Sequence, residues 1–369
     1  MEQQIIFTVT NDLTTDQRMQ RICTTMQNAG YQVKLVGRLR QNSITLNQMP
    51  FAQHRIKCKF EHGPLFYIEY NLKLFIFLLF AKCTIISAVD ADTILPCTLA
   101  AKIRSKKLVF DAHEYFTEVP ELHNRNAIKN IWQTLLKTCI PMVDACYTVG
   151  PKLAEIFTNL YGKKFDVIYN MSIKKTVESI GVKKDIILYQ GDLNIGRGIE
   201  QTITAMQNIN AELWIVGDGL LKDRITTLIT ELNLNGKIKL LGKVTPDKLH
   251  EITQQAKIGI NLLNDVSLSY RYSIANKFFD YVQAGIPAVC ANFEEYKTLN
   301  KQYEVAVLCD DNVVNIQAAI EHLLTDILYY QKLVDNCKQA AKQWHWESQE
   351  KLLVSIYNNV VHGKTIACN

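Results

Sequence analysis

At 369 residues, 48% apolar and 21% charged, the chain is long enough for two cores and has the balance of an ordinary globular protein. A net charge of +5 is too small for a nucleic-acid footprint and suits an anionic small ligand or a membrane surface. Ten Cys without a C-x-x-C pair indicate neither a zinc site nor a disulfide framework, and free thiols in that number fit a reducing cytoplasm.

Taken in order, the first half alternates strand and helix. Residues 5–9 are a short apolar strand, after a start (MEQQIIFTVTNDL) that lacks the positive charge of a secretory signal. A helix over about 16–29 carries Met19, Ile22, Cys23 and Met26 on one face before Gly30 closes it. Further strands are expected at 33–36, 83–87, 107–111, 145–150 and 166–170, with a helix over 94–103. This alternation predicts a parallel sheet covered by helices on both faces, with ligands beyond the carboxyl ends of the strands. That rule singles out 11–18, 90–92 and 113–118.

The run LFIFLLFA between Lys73 and Lys82 is far short of the roughly 20 residues that span a bilayer. It reads as a helix buried against a sheet. The other reading is a helix whose aromatic edge touches a membrane surface.

A polar, lysine-containing break, MSIKKTVESIGVKKD (171–185), reads as a linker, and the pattern then restarts. Strands are expected at 186–190, 212–217, 237–242, 258–263, 287–291 and 304–309, with helices near 198–208, 220–233, 246–256 and 273–284. The implied domains are 1–170 and 171–345. The closing amphipathic helix, about 346–369, is expected to pack back on the first domain.

The stretch SLSYRYSIANKFFDYVQAGIPAVCA (267–291) is a polar, aromatic loop, then a short helix, then a Gly-x-Pro turn feeding a strand. Ser273 is the expected N-cap, and Gly285 with Pro287 ends the helix. Ser273, Lys277, Asp280 and Ala284 share one stripe, while Phe278, Tyr281 and Val282 can face the core. A Lys and an Asp one turn apart are ordinarily a surface ion pair. Here the helix start follows hydroxyls and Arg271, which suits a phosphate or diphosphate. Three strands of this half end in glycine turns: QGDLNIGRG (190–198) with Arg197, VGDGL (216–220) and LGKVTP (241–246).

In that order, GDLNIGRG, VGDGL, LLGKV and KFFDYVQAGIPAV resemble the G-R-L-x-x-x-K-G, V-G-D-G-P, F-L-G-x-V and A-G-x-P-V motifs of family 4 glycosyltransferases, the retaining group with the GT-B fold. TTDQRMQRICTTMQNAGYQVKLVGR, FDAHEYFTEVPE, VIYN and the closing W-x-W-E extend the resemblance over nearly the whole chain. It implies an α/β protein of two doubly wound Rossmann-like domains facing each other across a cleft. It also implies transfer of a sugar from a nucleoside-diphosphate sugar to an acceptor hydroxyl, with no metal and no resident cofactor.

Carried over residue by residue, Arg197 and Gly198 stand at the diphosphate, with Lys277 a second phosphate candidate. Gly217, Asp218 and Gly219 form a donor-side turn, Gly242, Lys243 and Val244 the turn that reads the base, and Asp280 the ribose acceptor. Tyr272 and Ser273 flank the donor helix. His113 looks like the catalytic first-domain His that lies against the donor sugar and its leaving phosphate, though a satisfied structural His is the bland alternative. Asp16, Arg18, Glu114 and Glu118 fall on the acceptor side. Two departures stand out: Asp192 replaces the Arg of G-R-L, and Tyr272 replaces the first Glu of the paired motif, so Arg271 or Lys277 would restore the missing charge. Asp90-Ala91-Asp92 imitates a metal-binding D-x-D but follows a first-domain strand, away from the donor turns. The resemblance further implies bacterial surface-polysaccharide assembly, with a sugar or lipid-linked saccharide acceptor at the cytoplasmic face of the membrane. Two other readings stay open: a sugar-nucleotide epimerase, whose acid–base carboxylates the sequence does not place, and a silent nucleotide-binding partner of another transferase.

Overall fold

A computed structural model describes residues 3–14, 16–175 and 183–363. The chain divides into two compact units, Met1–Tyr169 with Gln349–Asn369, and Asn170–Ser348. Part of the expected linker, 176–182, lies outside the described residues.

In the first unit β1 (Gln4–Thr8) leads through α1 (Gln17–Asn28) to β2 (Gln32–Leu39), and a loop leads on to β3 (Ala52–Lys57). Then come α2 (Gly63–Phe80), β4 (Ile85–Val89), α3 (Ala91–Arg104) and β5 (Lys107–Ala112). After α4 (Asn126–Cys139) the chain runs through β6 (Ala145–Thr148), α5 (Pro151–Tyr161) and β7 (Phe165–Val167). The strands are parallel in the order β3-β2-β1-β4-β5-β6-β7. Covered on both faces, β1 and β4 read as unbroken apolar runs, and Ile5, Ile6, Phe7, Ile85 and Ile86 are fully buried. The edge strand β3, AQHRIK, alternates exposed and half-buried polar residues, so no apolar run announced it.

The apolar run at 74–81 is not a wholly buried helix. α2 begins eleven residues earlier, at Gly63 with Pro64 in its first turn, and buries only Phe66, Tyr70, Leu74 and Leu78. Those four recur every fourth residue and form the one face laid on the sheet, where the Tyr70 hydroxyl donates to Val9 O.

The second unit opens with β8 (Ile186–Gln190), α6 (Ile199–Ala205), β9 (Glu212–Val216), α7 (Lys222–Glu231) and β10 (Ile238–Gly242). After α8 (Pro246–Gln255) come β11 (Ile258–Asn261), α9 (Leu268–Arg271), α10 (Asn276–Gln283) and β12 (Ala288–Ala291). The unit closes with α11 (Glu294–Gln302), β13 (Ala306–Cys309), α12 (Val313–Thr325) and α13 (Ile327–Ala340). Its parallel order, β10-β9-β8-β11-β12-β13, reverses direction between β8 and β11. At such a reversal the connecting loops part and leave a crevice at the carboxyl ends of the two strands. α10 is pinned over this point: the Tyr281 hydroxyl lies 3.1 Å from both Leu188 O and Ile260 O. A Cβ at Gly259 would stand 2.4 Å from the Tyr281 ring, so the close fit requires glycine on β11.

The last helix, α14 (Trp346–His362), starts in the second unit, and from Gln349 it groups with the first. There the Tyr357 hydroxyl lies 2.8 Å from Ser87 Oγ, and Thr25 Oγ1 donates to Glu350 at 2.7 Å.

Candidate functional site

The glycine turns of the second unit are built by backbone contact. Gly217 has φ +152°, and a Cβ there would stand 1.9 Å from Gly191 O. Gly219, at φ +158°, would put a Cβ 2.7 Å from Leu193 O. These two glycines therefore let the turn after β9 lie against the turn after β8. Gly191 N donates to Val216 O and Gly217 N to Gly242 O, both at 2.9 Å, so the three turns form one row. Asp218 is exposed, with Oδ1 3.0 Å from Gly219 N. Gly242 ends the edge strand β10, two strands away from β8 at the crevice, and exposed Lys243 and half-buried Val244 follow it.

Two cations meet at the crevice itself. Arg197, beside Gly198 on the turn after β8, holds its guanidinium 4.9 Å from the centre of the Tyr270 ring. Lys277, in the first turn of α10, lies with its ammonium 3.9 Å from the centre of the Tyr189 ring and is 8% exposed. Both Lys277 Nζ and Arg197 Nε are buried without a hydrogen-bond partner among the described residues. Gly191 fronts the ammonium; a Cβ there would stand 3.6 Å from Nζ. Burial first, and then the charge of Arg197, push the Lys277 ammonium down to about 7. A buried amine with no acceptor is costly, and such an arrangement is retained where a ligand supplies the missing charge.

Several expected details differ. Ser273 is not the N-cap of α10, which opens at Asn276 after Ala275. The loop first closes an extra helical turn, α9, capped by Ser267, which accepts from Tyr270 N at 3.2 Å. That turn moves the start of α10 three residues on, and Ser273 Oγ donates back to Tyr270 O at 2.9 Å. Lys277 and Asp280 do not pair. Asp280 accepts from Ser172 Oγ and from Gln190 Nε2, the latter at 2.9 Å, so its carboxylate is engaged within its own unit. Arg271 is no spare cation either, because it is paired to Asp265 through two nitrogens. Tyr272 is half-buried after α9, and Asp192 is exposed on the first glycine turn.

The carboxyl edge of the first sheet carries a second cluster. His113 Nε2 lies 2.9 Å from Asp111 Oδ2, and Asp111 Oδ1 lies 2.9 Å from the Arg18 guanidinium. Asp90 receives the His113 backbone N–H at 2.8 Å and sits 3.5 Å from His113 Nδ1. Asp90 holds φ +57°, ψ 174°, a region essentially reserved for glycine, at a cost of about 1–3 kcal/mol. Asp92 accepts from Thr10 Oγ1. Burial opposes charge on His113, but Asp111 and Asp90 outweigh it and lift the imidazole to about 9. Burial would also raise Asp111, yet Arg18 and His113 hold it below the usual carboxylate value. Burial raises Asp90 and Asp92, Asp92 to about 6.

Of the other acceptor-side residues, Asp16 caps α1 by accepting from Met19 N at 2.9 Å. Glu118 pairs with Lys129 at 2.6 Å, and Glu114 is exposed beside the cluster. Sequence reasoning named His113 and Arg18 but not Asp111 between them. The signal was there: Asp111 and His113 are two apart at a strand end and so point the same way. Among the described residues no group of three His, Cys, Asp or Glu side chains is arranged to hold a metal.

Two parallel-sheet α/β units with a crevice at the strand-order reversal define the GT-B class, and solved GT-B glycosyltransferase structures match the chain over nearly its whole length. Residues 171–344 match the family described as "Glycosyl transferases group 1", so the chain carries a group 1 glycosyl transferase domain. An uncharacterized glycosyltransferase of Methanocaldococcus jannaschii is 26% identical over 221 residues, 57% of this chain and 55% of the relative. The N-acetylgalactosamine-N,N'-diacetylbacillosaminyl-diphospho-undecaprenol 4-alpha-N-acetylgalactosaminyltransferase of Campylobacter jejuni is 35% identical over 98 residues, 26% of this chain and 25% of that protein. The chain thus aligns with about half the length of one curated relative and a quarter of the other. The Anabaena protein HepE, solved in complex with UDP, superposes with a TM-score of 0.76 at 12% identity, over 97% of this chain and all of that one.

Proposed function

We propose that the chain is a glycosyltransferase that moves a sugar from a nucleoside-diphosphate sugar to an acceptor hydroxyl. One observation carries this reading: Arg197 and Lys277, two cations without carboxylate partners among the described residues, converge at the crevice where a doubly wound sheet places its ligand. The group 1 domain supports it, as does the UDP bound by HepE. The relative from Campylobacter, named for a diphospho-undecaprenol substrate, favours a lipid-linked saccharide acceptor in bacterial glycoconjugate synthesis. Breaking the glycosyl–phosphate bond builds negative charge on the departing diphosphate, and two cations fixed in advance stabilise it there. No carboxylate nucleophile and no metal are required for so good a leaving group, and we assign retention of configuration on the strength of the resemblance. Lys243 and Val244 stand at the base, the first unit, with Arg18 at its sheet edge, serves the acceptor, and His113 takes the catalytic role.

The test is incubation with UDP-, GDP- and ADP-sugars and saccharide acceptors. Release of nucleoside diphosphate matched by a glycosylated product of unchanged anomeric configuration is expected. Tight nucleotide binding with no turnover on any acceptor would make the chain a silent partner instead. The carboxylates around His113, buried Asp92 and Asp111 and half-buried Asp90, favour one second reading, a sugar-nucleotide epimerase, because they are the kind of acid–base groups it needs. An epimerised nucleotide sugar formed without nucleoside diphosphate would establish it.

The reading fixes a pH dependence. A diphosphate binds protonated Lys277, which titrates near 7 in the free protein. Affinity for a nucleotide sugar, whose diphosphate does not itself titrate in this range, should be level below about pH 7. Above it, affinity should fall by up to about tenfold per unit. Calorimetry between pH 6 and 9 measures this, and a level profile would remove Lys277 from the phosphate.

A further inference from the structure

Lys277 has the surroundings of a nucleophilic amine. Its Nζ is buried on the Tyr189 ring without a hydrogen-bond partner among the described residues, and Arg197 adds a second positive charge beside it. Desolvation and a neighbouring cation are the two means by which proteins keep a lysine unprotonated and reactive. Cys290, Asp192 and Asp280 favour the charged form but do not outweigh them, and the amine titrates near 7. About half of it is then neutral at pH 7, against about four in ten thousand for an ordinary lysine. Among the described residues the other amines that burial lowers, Lys183 and Lys237, donate to the carbonyls of Ala284, Gly285 and Met206. Access to Lys277 runs past exposed Gly191, where a Cβ would stand 3.6 Å from Nζ.

From this geometry we propose that Lys277 is a modification site, acylated by acyl phosphates. Arg197 selects the reagent. Its guanidinium lies against the Tyr270 ring with Nε unpaired among the described residues, and it offers phosphate the planar donors that phosphate favours. In an acyl phosphate the carbonyl carbon is one bridging oxygen from phosphorus, so a phosphate held there delivers the carbonyl to the amine. The neutral nitrogen attacks that carbon, and an N–C bond forms. The C–O bond to phosphate then breaks, inorganic phosphate departs with the electron pair, and the nitrogen gives its extra proton to water. The product is an uncharged amide that no longer attracts a diphosphate, so acylation switches nucleotide binding off. The modification shares with the nucleotide reading the assignment of both cations to phosphate.

Incubation of the full chain with acetyl phosphate, then digestion and mass spectrometry, tests it. Lys277 should be acetylated about tenfold or more faster than exposed lysines such as Lys222 and Lys301. UDP should protect Lys277 alone, and the acetylated chain should bind UDP as weakly as the Lys277→Met variant. p-Nitrophenyl acetate, which carries no phosphate, provides the control for the amine itself. Arg197→Ala should slow the reaction with acetyl phosphate about tenfold more than the reaction with p-nitrophenyl acetate, a ratio that any change in the amine or the fold leaves untouched. Acetylation of Lys277 no faster than that of the exposed lysines, or equal slowing of the two reagents, overturns the proposal. UDP without effect, while Lys277 still reacts fastest and through Arg197, supports the modification and removes the nucleotide reading instead.

Discussion

Replacing Lys277 with Met should remove most of the affinity for a nucleoside diphosphate and leave the unliganded protein as stable as before, or more so. A charge-assisted hydrogen bond to phosphate contributes about 1.5–3 kcal/mol, so the dissociation constant should rise by about 10- to 150-fold. The effect on the fold has the opposite sign. In the free protein the ammonium is buried without an acceptor among the described residues, a desolvation cost that methionine, similar in length and apolar, does not carry. Titration with UDP and thermal melts of the same two proteins separate the cases. If the amine served only to stack on Tyr189, the melting temperature would fall and nucleotide affinity would stay. Arg197→Ala should weaken UDP binding by a similar amount through the loss of the guanidinium that rests on Tyr270.

Asp111→Asn should be the most damaging single change in the first unit. Asp111 is fully buried and is the shared counter-charge of Arg18, 5% exposed, and His113. Neutralising it leaves the Arg18 guanidinium buried without its carboxylate and His113 with Asp90 alone, and breaking a buried pair in this way costs about 3–5 kcal/mol. For a unit of this size that is a fall of about 10 °C in melting temperature. The exposed Lys152–Glu155 pair provides the contrast, since Glu155→Gln should change stability by less than about 0.5 kcal/mol. The pH profile gives a second signature. His113 is raised from 6.5 to about 9, so its contribution is complete below pH 6.5 and is lost as pH rises through 9. Asp111→Asn should reduce that slope between 6.5 and 9, leaving the part that Asp90 contributes, and a variant with an undiminished slope would remove Asp111 as the partner of His113.

What the sequence revealed and what it hid follow from where each residue sits. Buried parallel strands announce themselves because both faces are apolar, which is why Ile5–Phe7 and Ile186–Tyr189 are legible. Gly285, at φ +64°, marks the end of α10 for an equally local reason. β3 was invisible because an edge strand needs no apolar face. α2 misled in the other direction. Apolar on the side laid on the sheet and on the side opposite, it carries no periodicity to say which of the two is buried, and only Tyr70 and its neighbours on the sheet decide it. α5 carries equally local signals, Pro151 at its start and Gly162 in the left-handed region at its end. At the donor crevice the residue types were readable but their pairing was not. The extra turn of α9 rotates Ser273 away from α10, and Gln190 and Ser172, distant in sequence, occupy Asp280. The lone state of Lys277 follows from those long-range contacts, which no local pattern encodes.

The most direct measurement is a crystal structure with a nucleoside-diphosphate sugar bound. Diphosphate oxygens should lie within about 3 Å of Lys277 Nζ and of the Arg197 guanidinium, in the crevice between β8 and β11. A diphosphate seated at any other place, with those two cations still unpaired, would contradict the central assignment.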